Sequence, residues 1–353
     1  MKGAVRFGVD HATNNSLLNH NISDITRSAL MAHSLNYDSV WMMDHINWTP
    51  IGSQIANNWI LLSSLVPLLK NRTMGILVSD PHRYHPAVLA QMHATMDNLT
   101  NGQFILGVGA GEGGNLNQYH IRWNKPYSRL KEAVEVMRSL WDASSTKPAS
   151  YDGEFFQMTD AFLQMKFTKP PQLWVAGNGS RTRDLTAKCG TGWFPTATTP
   201  RLYSRWAREI DSLTESYGRS REDVEHAYQI YVNMTSSKKS VSAFMKQVMC
   251  NFITKKEIAD EYSLKPPEGV EWHKSTILGM AKNQLKVIEF SKQVPDSLAD
   301  EMCAYGTPDE IISRFESFIS AGVDHFVILF IGGNYFEQMQ MFADKVLPYF
   351  RGK

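Results

Sequence analysis

One carboxylate stands inside a run of glycines. Gly107, Gly109, Gly111, Gly113 and Gly114 fall within eight residues, and Glu112 and Asn115 are the polar side chains among them. Small residues let a flat ligand approach the backbone, and a carboxylate beside it can give or take a proton. Asp44-His45 closes another apolar run. A histidine there suits acid–base work near neutral pH, the alternative being a turn aspartate followed by a packed histidine. Gly177-Asn178-Gly179-Ser180 precedes a helical stretch. It either offers backbone N–H groups and a helix dipole to a phosphate or is an ordinary strand-to-helix turn. Gly109, Gly111 and Gly114 spell G-x-G-x-x-G, but no acid ends a second strand about twenty positions later, so the dinucleotide fingerprint is incomplete. No trio of residues has metal-ligand spacing, and no G-x-S-x-G elbow is present.

These groups need elements to hold them. Residues 73–78 form an apolar run stopped by Asp80-Pro81, the mark of a buried strand. Pro86 suits a first helical position, and Val88, Leu89, Met92, Met96 and Leu99 make a helical stripe ended by Asn101-Gly102. A second apolar run, 104–108, completes a right-handed strand–helix–strand unit with parallel strands. The pattern recurs. Strands are expected at 5–9, 38–43, 172–176, 192–194, 224–234 and 325–330, and most are followed by helices. A hairpin is expected at 150–158 around Asp152-Gly153. Thr307-Pro308-Asp309-Glu310 opens a strongly signalled helix. About eight strands alternating with helices argue for an α/β fold, a (β/α)8 TIM barrel with insertions, over a doubly wound open sheet. The expectation is one barrel domain over 1–353, with 237–300 a helical insertion after the seventh strand. In a barrel the chemistry sits at the carboxyl ends of the strands. That gathers Asp10, His11, Asp44, His45, Trp48, Asp80, Glu112, Asn115, Asn178 and Asn334.

Other candidates have plainer readings. His82, Arg83 and His85 form a basic loop that suits a solvated turn. His33, His93, Trp41, Trp59, Trp141, Trp174 and Trp193 read as packing residues. The chain has 353 residues and a formal net charge of +1, which points to no nucleic acid and no acidic membrane surface. Three dispersed cysteines suit reduced thiols, and no apolar run approaches the ~18 residues of a spanning helix. A cytoplasmic protein is expected.

The motifs together resemble the bacterial-luciferase-like superfamily, and within it the branch using the deazaflavin coenzyme F420. They are Asp44-His45, the stretch RYHPAVLAQMHATMDNLTNGQFILGVGAGEGGN, the run W-x-KP-x-SRLKEAVEVMRSLW, the AGNGS loop and YGTPDEIISRFESFISAGVDHF. The resemblance implies a deazaflavin across the barrel mouth, with FMN as the alternative cofactor. It implies a bulge with a cis peptide at Leu77-Val78, a ring bordered by Gly109 and Gly111, and a phosphate tail held from Ala176 through Gly177, Asn178, Gly179 and Ser180. Asp44 and Asn115 join that coenzyme set. His45 would take or position a substrate hydroxyl proton, Glu112 would manage a proton near the ring, and Trp48 would help close the pocket. Two departures stand out. Trp48 is one position early, and Asn14 stands where an active-site glutamate is expected. The implied function is an F420-dependent oxidoreductase acting on a small alcohol or carbonyl substrate. The alternatives are a methylenetetrahydromethanopterin reductase, an FMN monooxygenase and a non-enzymatic flavin-binding subunit. Relatives of this kind lead us to expect a homodimer or larger homo-oligomer.

Overall fold

Eight parallel strands close on themselves. The structure is a computed structural model that describes residues 4–11, 22–47, 55–270, 274 and 277–352. Its strands are β1 Arg6–Asp10, β2 Ser39–Met42, β3 Thr73–Ser79, β4 Phe104–Val108, β5 Ala149–Asp152, β6 Gln157–Ala161, β7 Gln172–Ala176, β8 Gly192–Phe194, β9 Glu225–Met234, β10 Ala304–Gly306 and β11 His325–Phe330. The order β9-β11-β1-β2-β3-β4-β7-β8 is closed by pairing of β8 with β9. A closed ring excludes the open doubly wound sheet. The hairpin β5–β6 lies outside the ring, and β10 adds to β9 as a short parallel strand. The sequence did not announce β10, because three residues carry no period.

Strand alternation sends one set of side chains to the axis and the other to the helices. On β1, Phe7 faces outward and packs with Phe315, Phe326, Phe342 and Phe350. Gly8 faces inward, where a Cβ would meet the Trp41 ring and Ser39. The interior is filled by Trp41 and Trp174, stacked with centroids 4.7 Å apart, and by Leu77, Ile105, Phe194, Ala227 and Val327. Gly75 and Gly192 are glycines because a side chain would run into those indoles. Below them a buried polar chain closes the amino-terminal end. Trp41 Nε1 donates to Ser39 Oγ (2.7 Å), Ser39 Oγ meets His325 Nε2 (2.7 Å), and His325 Nδ1 meets Glu225 (2.9 Å). The barrel is therefore a plug with one working face, the carboxyl-terminal mouth.

Around it the signalled helices form. Pro86–Leu99 begins on its proline, and Pro308–Ser320 begins with a Thr307–Glu310 capping box. Residues 237–300 contribute Lys238–Ile253, Lys256–Glu261, Ile277–Ser291 and most of Asp296–Met302, with no strand among the described residues. No described helix is long and apolar enough to cross a membrane. All three cysteines are buried and unpaired.

Candidate active site

The floor of the mouth is built where β3 breaks register. Its pairing with β4 shifts between Ile76 and Ser79, and the Leu77–Val78 peptide bond is cis. Leu77 belongs to the interior plug, whereas Val78 and Ala176 are half-buried on top of it. Gly109 sits against that surface. A Cβ there would lie 2.6 Å from Val78 Cγ2 and 3.8 Å from Ala176 Cβ. Gly111 turns the chain at φ +72° over Asp80 and His82. The result is an apolar ledge, with bare backbone along one edge, that can accept a flat ring.

Glu112 stands beside this ledge. It is half-buried and precedes the short helix Gly113–Leu116. Its carboxylate has no hydrogen-bond partner among the described residues. Burial raises its pKa above the usual range. Lys255 and Arg83 oppose that rise, and Asp80 adds to it. His45 is half-buried at the end of the β2 segment, with Asn115 Nδ2 donating to its Nδ1 at 2.6 Å. Burial, then Arg83, drives its pKa down to about 3 against the pull of Asp80 and Asn115. His45 is thus a neutral imidazole at pH 7, with its own proton on Nε2. It can hydrogen-bond a substrate oxygen, but it holds no extra proton to donate.

Asp44 plays a different part from its neighbour. Arg83 binds its Oδ1 at 2.9 Å and its backbone carbonyl at 2.5 Å, while Ser79 Oγ (2.5 Å) and Trp59 Nε1 (3.3 Å) reach Oδ2. Arg83 also grips Asp80 at 2.6 Å, and its side chain is only 8% exposed. The 82–85 loop is therefore no solvated turn at Arg83. One buried guanidinium ties the carboxyl ends of β2 and β3 together, and Asp44 is engaged from both sides in that task.

The AGNGS loop is also partly structural. Asn178 Nδ2 donates to Thr196 O (2.9 Å) and Asn178 Oδ1 accepts from Thr196 N (3.3 Å), which joins the ends of β7 and β8. Gly177 has φ +149°, and Gly179 caps Ser180–Cys189 without a side-chain hydrogen bond. That helix start can receive an anion. Any anion would share the place with Glu257, whose Oε1 lies 3.3 Å from where a Gly179 Cβ would be. Lys255 is half-buried here, with Nζ 3.3 Å from Thr196 Oγ1. Burial lowers its pKa, and Glu112 and Glu257 counter that. It comes from the 237–300 region, and nothing in its local sequence marks it.

Asp10 and His11 end β1 on opposite faces. Inward, Asp10 Oδ2 accepts from Gln229 Nε2 of β9 at 3.1 Å, while Oδ1 has no partner among the described residues. Outward, His11 Nδ1 meets Ser28 Oγ at 2.8 Å under Tyr335, a packing role. Asn334 caps Tyr335–Lys345. Asp80, apart from Arg83, accepts from His82 N in a turn. Trp48 and Asn14 lie outside the described residues. The open groove lined by Gln91, Phe162, Leu163, Gln164 and Met165 shares no residue with this mouth. Among the described residues no cluster of His, Cys, Asp and Glu could hold a metal.

The description "Luciferase-like monooxygenase" fits residues 4–325 of the chain. The chain is similar to the phthiodiolone/phenolphthiodiolone dimycocerosates ketoreductase of Mycobacterium tuberculosis, at 27% identity over 98% of this chain and 97% of that one. It is also similar to the 5,10-methylenetetrahydromethanopterin reductase of Archaeoglobus fulgidus, at 25% identity over 90% and 93% of the two chains. Among solved structures, an F420-dependent secondary alcohol dehydrogenase in complex with an F420-acetone adduct superposes with a TM-score of 0.81, at 21% identity over 98% of both chains.

Proposed function

The chain belongs to the luciferase-like monooxygenase family, and within it we propose a coenzyme F420-dependent oxidoreductase that interconverts an alcohol and a carbonyl compound. That it is an enzyme of the oxidoreductase kind follows from its relatives. The observation that carries the finer reading is the apolar ledge of Val78, Ala176 and Gly109 with a carboxyl whose pKa burial raises, Glu112, at its edge. The missing Cβ of Gly109 is what a flat ring needs, and it is the sign in this chain that the coenzyme fits. The names of the ketoreductase and of the secondary alcohol dehydrogenase support the carbonyl side of the proposal.

When bound, F420 supplies or accepts a hydride at the carbon that replaces flavin N5. The protein aligns the reacting carbons and handles protons. Val78, Gly109 and Gly111 would carry the ring, and the start of Ser180–Cys189 would hold the phosphate end. Glu112 holds or releases the proton on the ring side. Neutral His45, fixed by Asn115, hydrogen-bonds the substrate oxygen through Nε2. A neutral imidazole stabilises a developing alkoxide without having to ionise. A second reading, reduction of a methylene-pterin, is favoured by the likeness to the Archaeoglobus protein. It would use the same ledge and Glu112.

Titration of the purified protein with F420, FMN and NADPH tests the cofactor, and turnover with alcohols, ketones and methylene-pterins tests the substrate class. Glu112→Gln should lower turnover by roughly 10²–10⁴-fold with F420 affinity kept. Tight FMN binding with oxygen-dependent turnover would replace this reading by a monooxygenase.

A further inference from the structure

The ledge takes up one side of the mouth, and β9 borders the other. Ala227 of β9 belongs to the interior plug and Gln229 reaches Asp10, so the same face of the strand carries Tyr231 and then Asn233 toward the rim. Tyr231 lies within electrostatic reach of Glu112, so this face begins beside the ledge. Its surroundings are aromatic. Phe252 of Lys238–Ile253 packs on Tyr231 with centroids 5.3 Å apart. Phe244 of the same helix is half-buried and meets the turn after β11. A Cβ on Gly332 in that turn would lie 3.3 Å from Phe244 Cε1 and 2.5 Å from Asn233 Nδ2, so a side chain there would cover the amide. Asn233 is only 6% exposed, yet its amide meets no hydrogen-bond partner among the described residues. Glu225 and Gln229, lower on the same face, are both paired. A buried amide without a partner costs free energy, and a ligand that supplies one recovers it. Lys255 brings a cation to this side, with Nζ 5.4 Å from the centre of the Phe252 ring, but it already faces Glu112 and Glu257.

We propose that this side of the mouth is the substrate subsite and that Asn233 sets its specificity. The substrate is an uncharged ketone or secondary alcohol whose apolar chain carries a second oxygen, a hydroxyl or a carbonyl, for the Asn233 amide. Tyr231, Phe244 and Phe252 give the chain apolar surface, and one polar group among such walls fixes its orientation. Asn233 accepts from a hydroxyl through Oδ1 or donates to a carbonyl through Nδ2. A plain chain leaves the amide unpaired, and a site with an unmet polar group selects against that chain. The amide has no charge to hold a carboxylate or a phosphate, and the charge of Lys255 is already offset. This inference rests on the alcohol–carbonyl reading above and names the class of substrate within it.

The test uses the whole protein with F420 and three matched series: methyl ketones of rising chain length, the same ketones with a hydroxyl on the far carbon, and keto acids of the same lengths. In the wild type, kcat/KM should rise by up to about fourfold per added CH2. Hydroxy ketones should be favoured over plain ketones of equal length by about tenfold, and keto acids disfavoured by at least about tenfold. Asn233→Leu, of similar shape, should erase the preference for hydroxy ketones, whereas an amide with a merely structural role would lower both series alike. Phe244→Ala should flatten the dependence on chain length, and an unaltered slope overturns the apolar wall. A wild type that turns over ketones without favouring the hydroxy series overturns the role of Asn233 while the F420 reading stands, and this result needs no variant to fold. A preference that survives in Asn233→Leu overturns it as well, and so does a keto acid that is taken best. A wild type that binds no F420 and turns over no alcohol or ketone defeats the functional reading itself, and this subsite with it.

Discussion

Asp10 makes a prediction that needs neither coenzyme nor substrate. Burial lifts its pKa from 3.8 to about 7. The unfolded chain releases this proton near the lower value, and the folded protein keeps it to the higher one. Between them the folded state binds more protons, so stability falls as pH rises. The gap is about 3 units, and at 1.36 kcal/mol each the full cost is about 4 kcal/mol, reached above about pH 7. Roughly 1 kcal/mol of it is already present at pH 4.5, which leaves about 3 kcal/mol to develop by pH 8. Asn at position 10 carries no proton and escapes this term. Its own unpaired amide adds a penalty, but one that does not change with pH. The quantity to measure is therefore the difference between Asp10→Asn and wild type as a function of pH. At the usual entropy per residue, about 3 kcal/mol in a chain of 353 residues is about 4 °C in Tm. The variant should gain about that much on the wild type between pH 4.5 and pH 8. Parallel curves would mean that Asp10 ionises like an ordinary carboxylate, and the argument from its burial would fail.

Two further substitutions probe the ledge and its support. Gly109→Ala places a methyl 2.6 Å from Val78 Cγ2. F420 affinity should drop at least about tenfold by titration, beyond the cost of about 1–3 kcal/mol in stability that overpacking this buried position carries. Unchanged affinity would remove the ring from this ledge. Arg83→Met leaves Asp44 and Asp80 buried without their cation. Removing one partner of a buried ion pair costs about 3–5 kcal/mol, so urea unfolding should show a loss of that order at pH 7. A loss under about 1 kcal/mol would mean that water reaches those carboxylates.

Local chemistry was legible where one element alone decided it. The β4 segment reads as a strand because it is buried on every residue, and Pro86 and Thr307 announce helix starts because their own backbones begin those helices. Glu112 stood out for the same reason, since its setting of glycines is adjacent in sequence. What stayed hidden depends on groups brought together by closure of the ring. Arg83 meets Asp44 across 39 residues, and Gln229 meets Asp10 across 219. No spacing rule spans such gaps, so Arg83 read as solvated and Gln229 was not singled out at all. The Leu77–Val78 bond came from resemblance alone, because no composition or period marks a cis peptide. Proton affinity follows the same division. A sequence shows which side chains can ionise, whereas burial decides which do. At this mouth burial raises two acids and lowers one histidine, and so reverses the parts that their ordinary pKa values suggest. The group expected to carry the proton, His45, is the one left neutral, while burial lifts the Asp10 carboxyl to about 7 and raises that of Glu112. The barrel interior beneath this mouth is filled by two stacked indoles, so the tryptophans read as mere core are part of the apolar setting that raises these acids.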